Sequence, residues 1–176
     1  MTLKKILRVV VIVLTVMANI GCDQLTKAIA RPGLSDGRVV SRLGGILVLR
    51  YAENEGAFLG LGSRFPEPLK TIFTIAVPVL LIAGMIVFLF RKKEMELFLV
   101  LGASCIIGGG ASNLLDRILY HGRVSDFFTI GIGNFRSAVS NMADMSILLG
   151  CLFFVISEIV KSNAEKKPRP ENPAKE

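Results

Sequence analysis

Histidine and cysteine, which build many metal sites and catalytic triads, are scarce in this sequence of 176 residues. His121 is the only histidine, and no serine or cysteine is arranged around it. A histidine-based metal site and a histidine-activated nucleophile are therefore not expected. Three cysteines, Cys22, Cys105 and Cys151, show no disulfide or metal-ligand spacing. We expect Cys105 and Cys151 to be buried small apolar residues, and we expect neither a metal nor a cofactor.

Acidic residues are outnumbered by basic ones, 14 against 21, which gives a formal net charge of +7. Nucleic acid is not the expected partner, because the sequence has no soluble basic face with interleaved aromatic residues. The basic residues instead flank apolar stretches: Lys4, Lys5 and Arg8; Arg91, Lys92 and Lys93; and Lys161, Lys166 and Lys167. By the positive-inside rule these segments and both termini are cytoplasmic. The arginines at positions 31 to 64 lie in a long loop assigned to the outer side, and long loops translocate with less regard to charge.

Apolar residues are abundant: they form 52% of the chain, with a mean hydropathy of +0.58. This exceeds what a water-soluble domain needs for its core. The excess is concentrated in residues 6–20, 72–90, 97–107 and 147–160. A helix of about 20 residues spans the hydrocarbon of a bilayer. We therefore predict an all-α membrane protein, in one domain of residues 1–160, with four transmembrane helices at about 6–26, 68–90, 95–117 and 141–160.

Two outer loops, residues 28–67 and 118–140, are predicted to carry a small β-sheet element on the membrane surface. In the first loop, residues 45–51 are rich in Ile, Val and Leu. In the second loop, residues 123–139 combine Val, Phe and Ile with glycine. Residues 161–176 are mostly Lys, Glu, Pro and Asn, so we predict a disordered cytoplasmic tail.

The N terminus has the appearance of a cleavable lipoprotein signal. A positive start and an apolar stretch end in Ile20-Gly21-Cys22, close to the box that precedes a lipidated cysteine. However, Asn19 stands where such a box normally has leucine, and residues 23–30 continue as helix instead of opening into a polar linker. We therefore expect the first helix to be retained.

Four aspartates are expected at the outer ends of the helices. They are Asp23 on the first helix, Asp116 on the third, Asp126 in the following loop and Asp144 on the fourth. A charge at the bilayer centre costs about 2.5 to 3.5 kcal/mol even on a lenient insertion scale. Carboxylates near membrane depth are therefore candidates for function.

Most of these polar positions also have a purely structural interpretation. Asp23 and Lys27 are spaced as an ordinary helical ion pair, worth about 0.2 to 0.5 kcal/mol. Asn113 and Arg117 share a helix face and can simply finish the third helix at the interface.

Asn141 and Asp144 have the spacing of a helix N-cap and a first-turn acid, which also fixes the carboxylate at the start of the fourth helix. Asp126 has less structural explanation, because its apolar neighbours draw it toward the membrane. Ser104, Gly108 and Ser112 recur every four residues, a spacing that favours close helix packing in lipid. The glycines at 108–110 are not a phosphate loop, because no Lys-Ser/Thr pair follows them.

Five short motifs occur in order along the chain. They are Asp23-Gln24-Leu25-Thr26-Lys27, Asn54-Glu55-Gly56-Ala57-Phe58, Asn113-Leu114-Leu115-Asp116-Arg117, Val124-Ser125-Asp126-Phe127 and Asn141-Met142-Ala143-Asp144. Together with the helix number and loop sizes, they resemble the lipoprotein signal peptidase family, also called signal peptidase II. The resemblance covers residues 1 to about 160. Each motif alone is weakly specific, whereas five in order on a matching topology are strongly so.

The resemblance implies that Asp126 and Asp144 are the catalytic pair of an aspartic endopeptidase. Its substrate would be a prolipoprotein that carries diacylglycerol on its cysteine, and cleavage would remove the signal peptide just before that cysteine. The resemblance also implies a periplasmic β-sheet and a bacterial inner membrane location, with the active site at the periplasmic face. Eight further positions are implied to shape the site: Asp23, Lys27, Asn54, Gly56, Asn113, Asp116, Arg117 and Asn141.

Two positions depart from the family pattern. Ser112 stands where a glycine commonly precedes the asparagine, and Ser140 stands where a phenylalanine commonly precedes Asn141. Both changes lie beside the proposed pair, so they bear on substrate or inhibitor fit more than on the chemistry.

Two nearby carboxylates cannot both ionise easily, so one keeps a proton while the other activates a shared water. The expected partners are the diacylglyceryl prolipoprotein and membrane lipid, and we expect a monomer. The alternative function is a small proton-coupled transporter or channel subunit that uses the same carboxylates. The sequence leaves open which aspartate holds the proton, how far apart the two lie, and which lipoproteins are processed.

Overall fold

The computed structural model describes residues 3–57, 60–91 and 96–165. Within these ranges the elements are α1 (Leu3–Leu34), β1 (Val40–Arg42), β2 (Leu47–Asn54), α2 (Leu69–Arg91), α3 (Leu97–Leu119), β3 (Val124–Ile132), β4 (Phe135–Arg136) and α4 (Met142–Glu165). All four helices are long and apolar enough to cross a membrane. The predicted fold class, four transmembrane helices with a small β-sheet in the loops between them, is confirmed.

Helix α1 extends further than predicted. It runs unbroken through Cys22 and ends at Leu34, so residues 28–34 of the predicted outer loop are helical. The added turns are stabilised because Ala30 and Leu34 are buried against two phenylalanines of β3, Phe127 and Phe128. Removing this apolar surface from water or headgroups favours helix over loop.

The other helix boundaries lie closer to the predictions. Leu69–Arg91 and Leu97–Leu119 begin and end within two residues of the predicted 68–90 and 95–117. Helix α4 continues to Glu165, so the first residues of the predicted tail are helical. The remainder of that tail, residues 166–176, lies outside the described residues, as do Lys92 and Lys93 of the predicted cytoplasmic turn.

The strands form one antiparallel sheet in the order β1-β2-β3-β4. Ala52 of β2 pairs with Asp126 of β3, and the β2-β3 register shifts between Leu49 and Ala52. A short 3-10 turn precedes β2, where Gly44 and Gly45 take positive φ angles of 63° and 91°. The sheet therefore joins the two loops and sets the beginning of β3 beside the end of β2.

Helix α3 lies at the centre of the bundle, and three consecutive glycines face three different helices. A Cβ atom on Gly108 would lie 2.9 Å from the Asn19 Cβ of α1, and one on Gly109 would lie 2.4 Å from the Ala143 carbonyl oxygen of α4. A Cβ atom on Gly110 would lie 3.0 Å from a side chain of α2. The predicted close packing at Gly108 is therefore present, and small residues allow the backbones to approach closely.

Large apolar side chains remain exposed along the outer faces of the helices, for example Leu14 on α1 and Leu80 on α2. Such surfaces suit contact with lipid, which is as apolar as the side chains themselves. Cys105 is buried as predicted, but Cys151 is exposed, so that prediction is wrong. Cys151 lies next to the exposed Leu152 on the lipid-facing side of α4.

Candidate active site

Asp126 and Asp144 are brought together by Asn141, which lies immediately before α4. The Asn141 side-chain amide donates to Asp126 Oδ1 at 2.6 Å, and its side-chain oxygen accepts the Asp144 backbone N–H at 2.9 Å. The second contact is the N-cap that the spacing of these residues predicted. One asparagine therefore fixes the beginning of α4 and also binds the carboxylate on β3.

Two further asparagines donate hydrogen bonds to oxygen atoms of the Asp126 and Asp144 carboxyl groups. Asn54, the last residue of β2, donates to Asp126 Oδ2 at 3.1 Å. Asn113 of α3 donates to Asp144 Oδ1 at 2.9 Å, and its own oxygen accepts from the Asn141 amide at 3.2 Å. Residues from two strands, two helices and a loop thus form one continuous hydrogen-bond network around the pair.

The protonation of Asp126 is shifted by its surroundings. Only 2% of this residue is exposed, and its burial, followed by the nearby charge of Asp144, raises the pKa of Asp126 to about 7. Hydrogen bonds from Asn141 and Asn54 oppose the shift without cancelling it. A carboxyl group that holds a proton near neutral pH has the property required of one member of an acid–base pair.

A buried charge cluster lies next to the pair. Lys27 is fully buried, and its ammonium group lies 2.6 Å from Asp23 Oδ2 and 3.0 Å from Asp116 Oδ2. It also donates to Asn113 Oδ1 at 3.0 Å, so three acceptors match the three N–H donors of an ammonium group. The helical ion pair that the spacing of Asp23 and Lys27 indicates is present, but both side chains are removed from solvent and Lys27 also pairs with Asp116 of α3.

Asp23 of α1 and Asp116 of α3 each connect their own helix to another part of the site. Asp23 Oδ1 accepts the Ala143 backbone N–H at 2.9 Å, which places a negative charge at the N-terminal end of α4. Asp116 Oδ2 accepts the Ser125 backbone N–H at 3.1 Å, so it contacts the residue directly before Asp126.

Arg117 connects α3 to the first loop. It is buried, and its guanidinium donates to the Gly56 carbonyl at 2.7 Å and to the Asn113 carbonyl at 3.2 Å. Gly56 in turn donates its N–H to the Asn54 side chain at 2.9 Å. Among the described residues, Arg117 Nε is a buried nitrogen with no hydrogen-bond partner. Phe58, which completes this motif, lies outside the described residues.

The two serines that depart from the family pattern have different surroundings. Ser112 is fully buried; its hydroxyl donates to Asp23 Oδ2 at 2.7 Å and accepts from Gln24 at 3.0 Å. Ser140 exchanges backbone hydrogen bonds with Phe128, and among the described residues its hydroxyl donates only to the Ala138 carbonyl, at 3.3 Å. Ser112 is therefore part of the buried charge cluster, whereas the Ser140 side chain is peripheral to it.

Three residues of this network were not singled out from the sequence: Gln24, Arg31 and Ser125. The sequence places Arg31 in the predicted outer loop, because the predicted first helix ends at about residue 26. Asp23, Lys27 and Arg31 are spaced four residues apart, so they share one helix face once α1 continues. This spacing is the signal by which Arg31 was detectable. Within the described part of the chain, no group of three His, Cys, Asp or Glu residues is arranged to hold a metal ion.

Comparison with known proteins agrees with this architecture. The family model for signal peptidase (SPase) II matches residues 12–160. A lipoprotein signal peptidase of Maridesulfovibrio salexigens is 30% identical over 135 residues, which cover 77% of this chain and 86% of that protein. One of Clostridium novyi is 30% identical over 145 residues, which cover 82% of this chain and 94% of that protein. The chain belongs to the signal peptidase II family.

Solved structures show the same fold. A bacterial membrane enzyme determined by the in meso method at 2.3 Å resolution superposes with a TM-score of 0.73 at 23% identity, covering 94% of each chain. A second, determined at 1.9 Å resolution, gives a TM-score of 0.73 at 22% identity, covering 84% of this chain and 92% of that one. The chain is thus a multi-pass membrane protein with the architecture of these enzymes.

Proposed function

We propose that this protein is an aspartic endopeptidase that removes the signal peptide from lipoproteins, with Asp126 and Asp144 as its catalytic pair. The observation that carries the proposal is the Asn141 bridge, which holds the buried Asp126 carboxyl group, caps Asp144 at the start of α4 and contacts Asn113, the donor to the partly buried Asp144 carboxyl group. Membership of the signal peptidase II family supports the same reaction. The substrate in this proposal is a prolipoprotein with diacylglycerol on its cysteine, cut just before that cysteine.

In this mechanism the pair shares one proton. The ionised carboxylate takes a proton from a water molecule, which attacks the scissile carbonyl carbon. The protonated carboxyl group donates to the carbonyl oxygen and stabilises the negative charge that develops there. Proton transfer to the departing amine then completes hydrolysis, without a covalent intermediate. The raised pKa of Asp126 keeps that shared proton available near neutral pH.

The supporting residues orient this chemistry. Asn54, Asn113 and Asn141 direct the two carboxyl groups, and the Lys27 cluster neutralises Asp23 and Asp116 beside them. Arg117 Nε–H, which has no partner among the described residues, would donate to a carbonyl oxygen of the substrate. A buried donor left unsatisfied costs about 1 to 3 kcal/mol, so binding a substrate carbonyl there would recover part of that cost.

The position of the pair supports a proposed orientation in the membrane. Both aspartates lie where the sheet meets the helix ends, and we propose that this end faces the periplasm, with both termini in the cytoplasm of a bacterial inner membrane. Lipid chains on the substrate would then lie along the exposed apolar faces of the helices.

A proton-coupled transporter or channel subunit is not favoured. Such a protein needs ionisable groups along a path through the membrane. Here Asp23, Asp116 and Asp144 gather near the sheet, with Asp126 on the sheet itself.

The decisive experiment uses the full chain in detergent with a synthetic diacylglyceryl prolipoprotein peptide. We expect Asp126→Asn and Asp144→Asn to abolish cleavage, with each variant still accumulating in the membrane and unfolding cooperatively. Cleavage in detergent, without any membrane gradient, also separates peptidase from transporter activity. Normal processing by either variant would contradict the assignment of the pair.

A further inference from the structure

Arg31 makes a set of contacts that reaches the strand carrying Asp126. Its guanidinium donates to the Ser125 hydroxyl at 2.9 Å, to Asp116 Oδ1 at 3.1 Å and to the Tyr120 hydroxyl at 2.6 Å. The guanidinium carbon also lies 3.9 Å from the centre of the Tyr120 ring. Arg31 is thus held by α3 on one side and β3 on the other, and it contacts neither Asp126 nor Asp144 directly.

Ser125 is the point at which these contacts converge. Its backbone N–H donates to Asp116 Oδ2 at 3.1 Å, while its hydroxyl accepts from Arg31 and also contacts the Tyr51 hydroxyl at 3.2 Å. Asp116 is itself paired with Arg31, so the main chain and the side chain of Ser125 are held by two members of one ion pair. The backbone nitrogen and the side-chain oxygen of Ser125 are therefore both held in place.

Fixing Ser125 fixes Asp126, because consecutive strand residues point to opposite faces of a sheet. The Ser125 side chain contacts Arg31 of α1 and Tyr51 of β2, whereas the Asp126 side chain is directed toward Asn141 and Asn54. A rotation of the strand at Ser125 would turn the Asp126 carboxyl group away from its partner on α4. Misplacement of a reacting group by about 1 Å can cost about a hundredfold in rate.

We propose that Arg31 is a positioning residue for the peptidase reaction, which holds the Asp126 carboxyl group in place through Ser125 and Asp116. The inference rests on the proposed role of Asp126. It assigns to Arg31 a role in the chemical step, without contact to the substrate. The planar guanidinium is required because it donates in three directions at once, which an ammonium group on a lysine stem does not reproduce at these three acceptors.

The test compares kcat and KM for a diacylglyceryl prolipoprotein peptide in detergent. The variants are Arg31→Ala, Arg31→Lys, Ser125→Ala and the double variant of Arg31→Ala with Ser125→Ala, together with thermal unfolding of each. Arg38→Ala is the matched control, because Arg38 lies in the following loop and pairs with Asp36 on the exposed surface.

We expect Arg31→Ala to lower kcat about tenfold or more, with KM changed less than about twofold, because positioning acts on the chemical step. Arg31→Lys should restore thermal stability more than it restores kcat. Ser125→Ala should lower kcat as well, and the double variant should be no slower than Arg31→Ala, since both changes remove the same contact. Arg38→Ala should match the wild type.

Two outcomes would overturn the inference: wild-type kcat in Arg31→Ala or Arg31→Lys, or fully additive losses in the double variant. Asp126→Asn is measured in parallel to separate this result from the proposed function. An inactive Asp126→Asn beside a fully active Arg31→Ala refutes only the positioning role. An active Asp126→Asn refutes the catalytic pair and, with it, the role of Arg31.

Discussion

Asn141 donates its side-chain amide to Asp126 Oδ1 over 2.6 Å, although the two residues belong to different elements of the fold. The same side chain caps α4 through the Asp144 N–H. The structural and the proposed catalytic roles of Asn141 therefore depend on one side chain, which both caps α4 and holds the Asp126 carboxyl group.

Replacement of Asn141 by alanine should affect both roles. Loss of the cap should lower the free energy of unfolding by about 1 kcal/mol. Loss of the amide that holds the Asp126 carboxyl group should lower kcat by about a hundredfold. Unfolding in detergent and cleavage of the lipidated peptide would measure the two effects. Ser140→Ala is the control, because the Ser140 hydroxyl contacts only the Ala138 carbonyl, and it should match the wild type. A fully active Asn141→Ala would refute the bridging role.

Cleavage should depend on pH through the proton shared by the pair. The pKa of Asp126 is raised to about 7 by burial and by Asp144, so Asp126 is mostly protonated below pH 7 and mostly ionised above it. Above that pH Asp126 loses the proton that the mechanism requires for the carbonyl oxygen. We therefore expect kcat/KM to fall as the pH rises through about 7.

The measurement is an initial-rate profile from pH 5.5 to 9 in detergent, with unfolding followed at each pH as the control. The apparent value belongs to the pair rather than to one residue. A rate that stays constant or rises up to pH 9 would contradict the shared-proton mechanism.

Ser112 should stabilise the protein through its contact with the buried charges. Ser112→Ala removes the donor to Asp23 Oδ2 and should lower the free energy of unfolding by about 1 to 3 kcal/mol. Ser104→Ala is a matched control in the same helix, because Ser104 is equally buried but donates only to the Val100 carbonyl within α3. Chemical unfolding of both variants gives the comparison. If both variants lose the same free energy of unfolding, the contact between Ser112 and Asp23 does not contribute to the stability of the protein.

Gly109 should be intolerant of any side chain. A Cβ atom there would lie 2.4 Å from the Ala143 carbonyl oxygen, so Gly109→Ala must push α4 away from α3 and move Asp144 from Asn113. We expect a loss of about a hundredfold in kcat, measured with the lipidated peptide. Gly84→Ala on α2 is the control, because its Cβ would meet no atom within 4 Å. That variant should retain activity and be equally or more stable, since alanine favours helix over glycine.

Much of the fold could be predicted from the sequence because it depends on local composition. Long apolar runs specify membrane helices wherever they occur, and the described helices follow them closely. The end of α1 was predicted too early because the stabilising partners of Ala30 and Leu34 are Phe127 and Phe128, almost a hundred residues away. No local pattern around residue 30 contains that information.

The sequence by itself determined the four spans, the β-rich loops and, through the ordered motifs, the family. Only the tertiary structure decided which polar side chains meet. The spacing of Lys27 indicated a pair with Asp23 within one helix, whereas in the fold Asp116 and Asn113 of α3 also contact its ammonium group. Arg31 lies in the loop that the sequence predicted, whereas in the fold it belongs to α1 and donates to Ser125 of β3. The physical reason is that hydropathy sums over neighbours in sequence, whereas a hydrogen bond requires two atoms from separate elements to lie within about 3 Å.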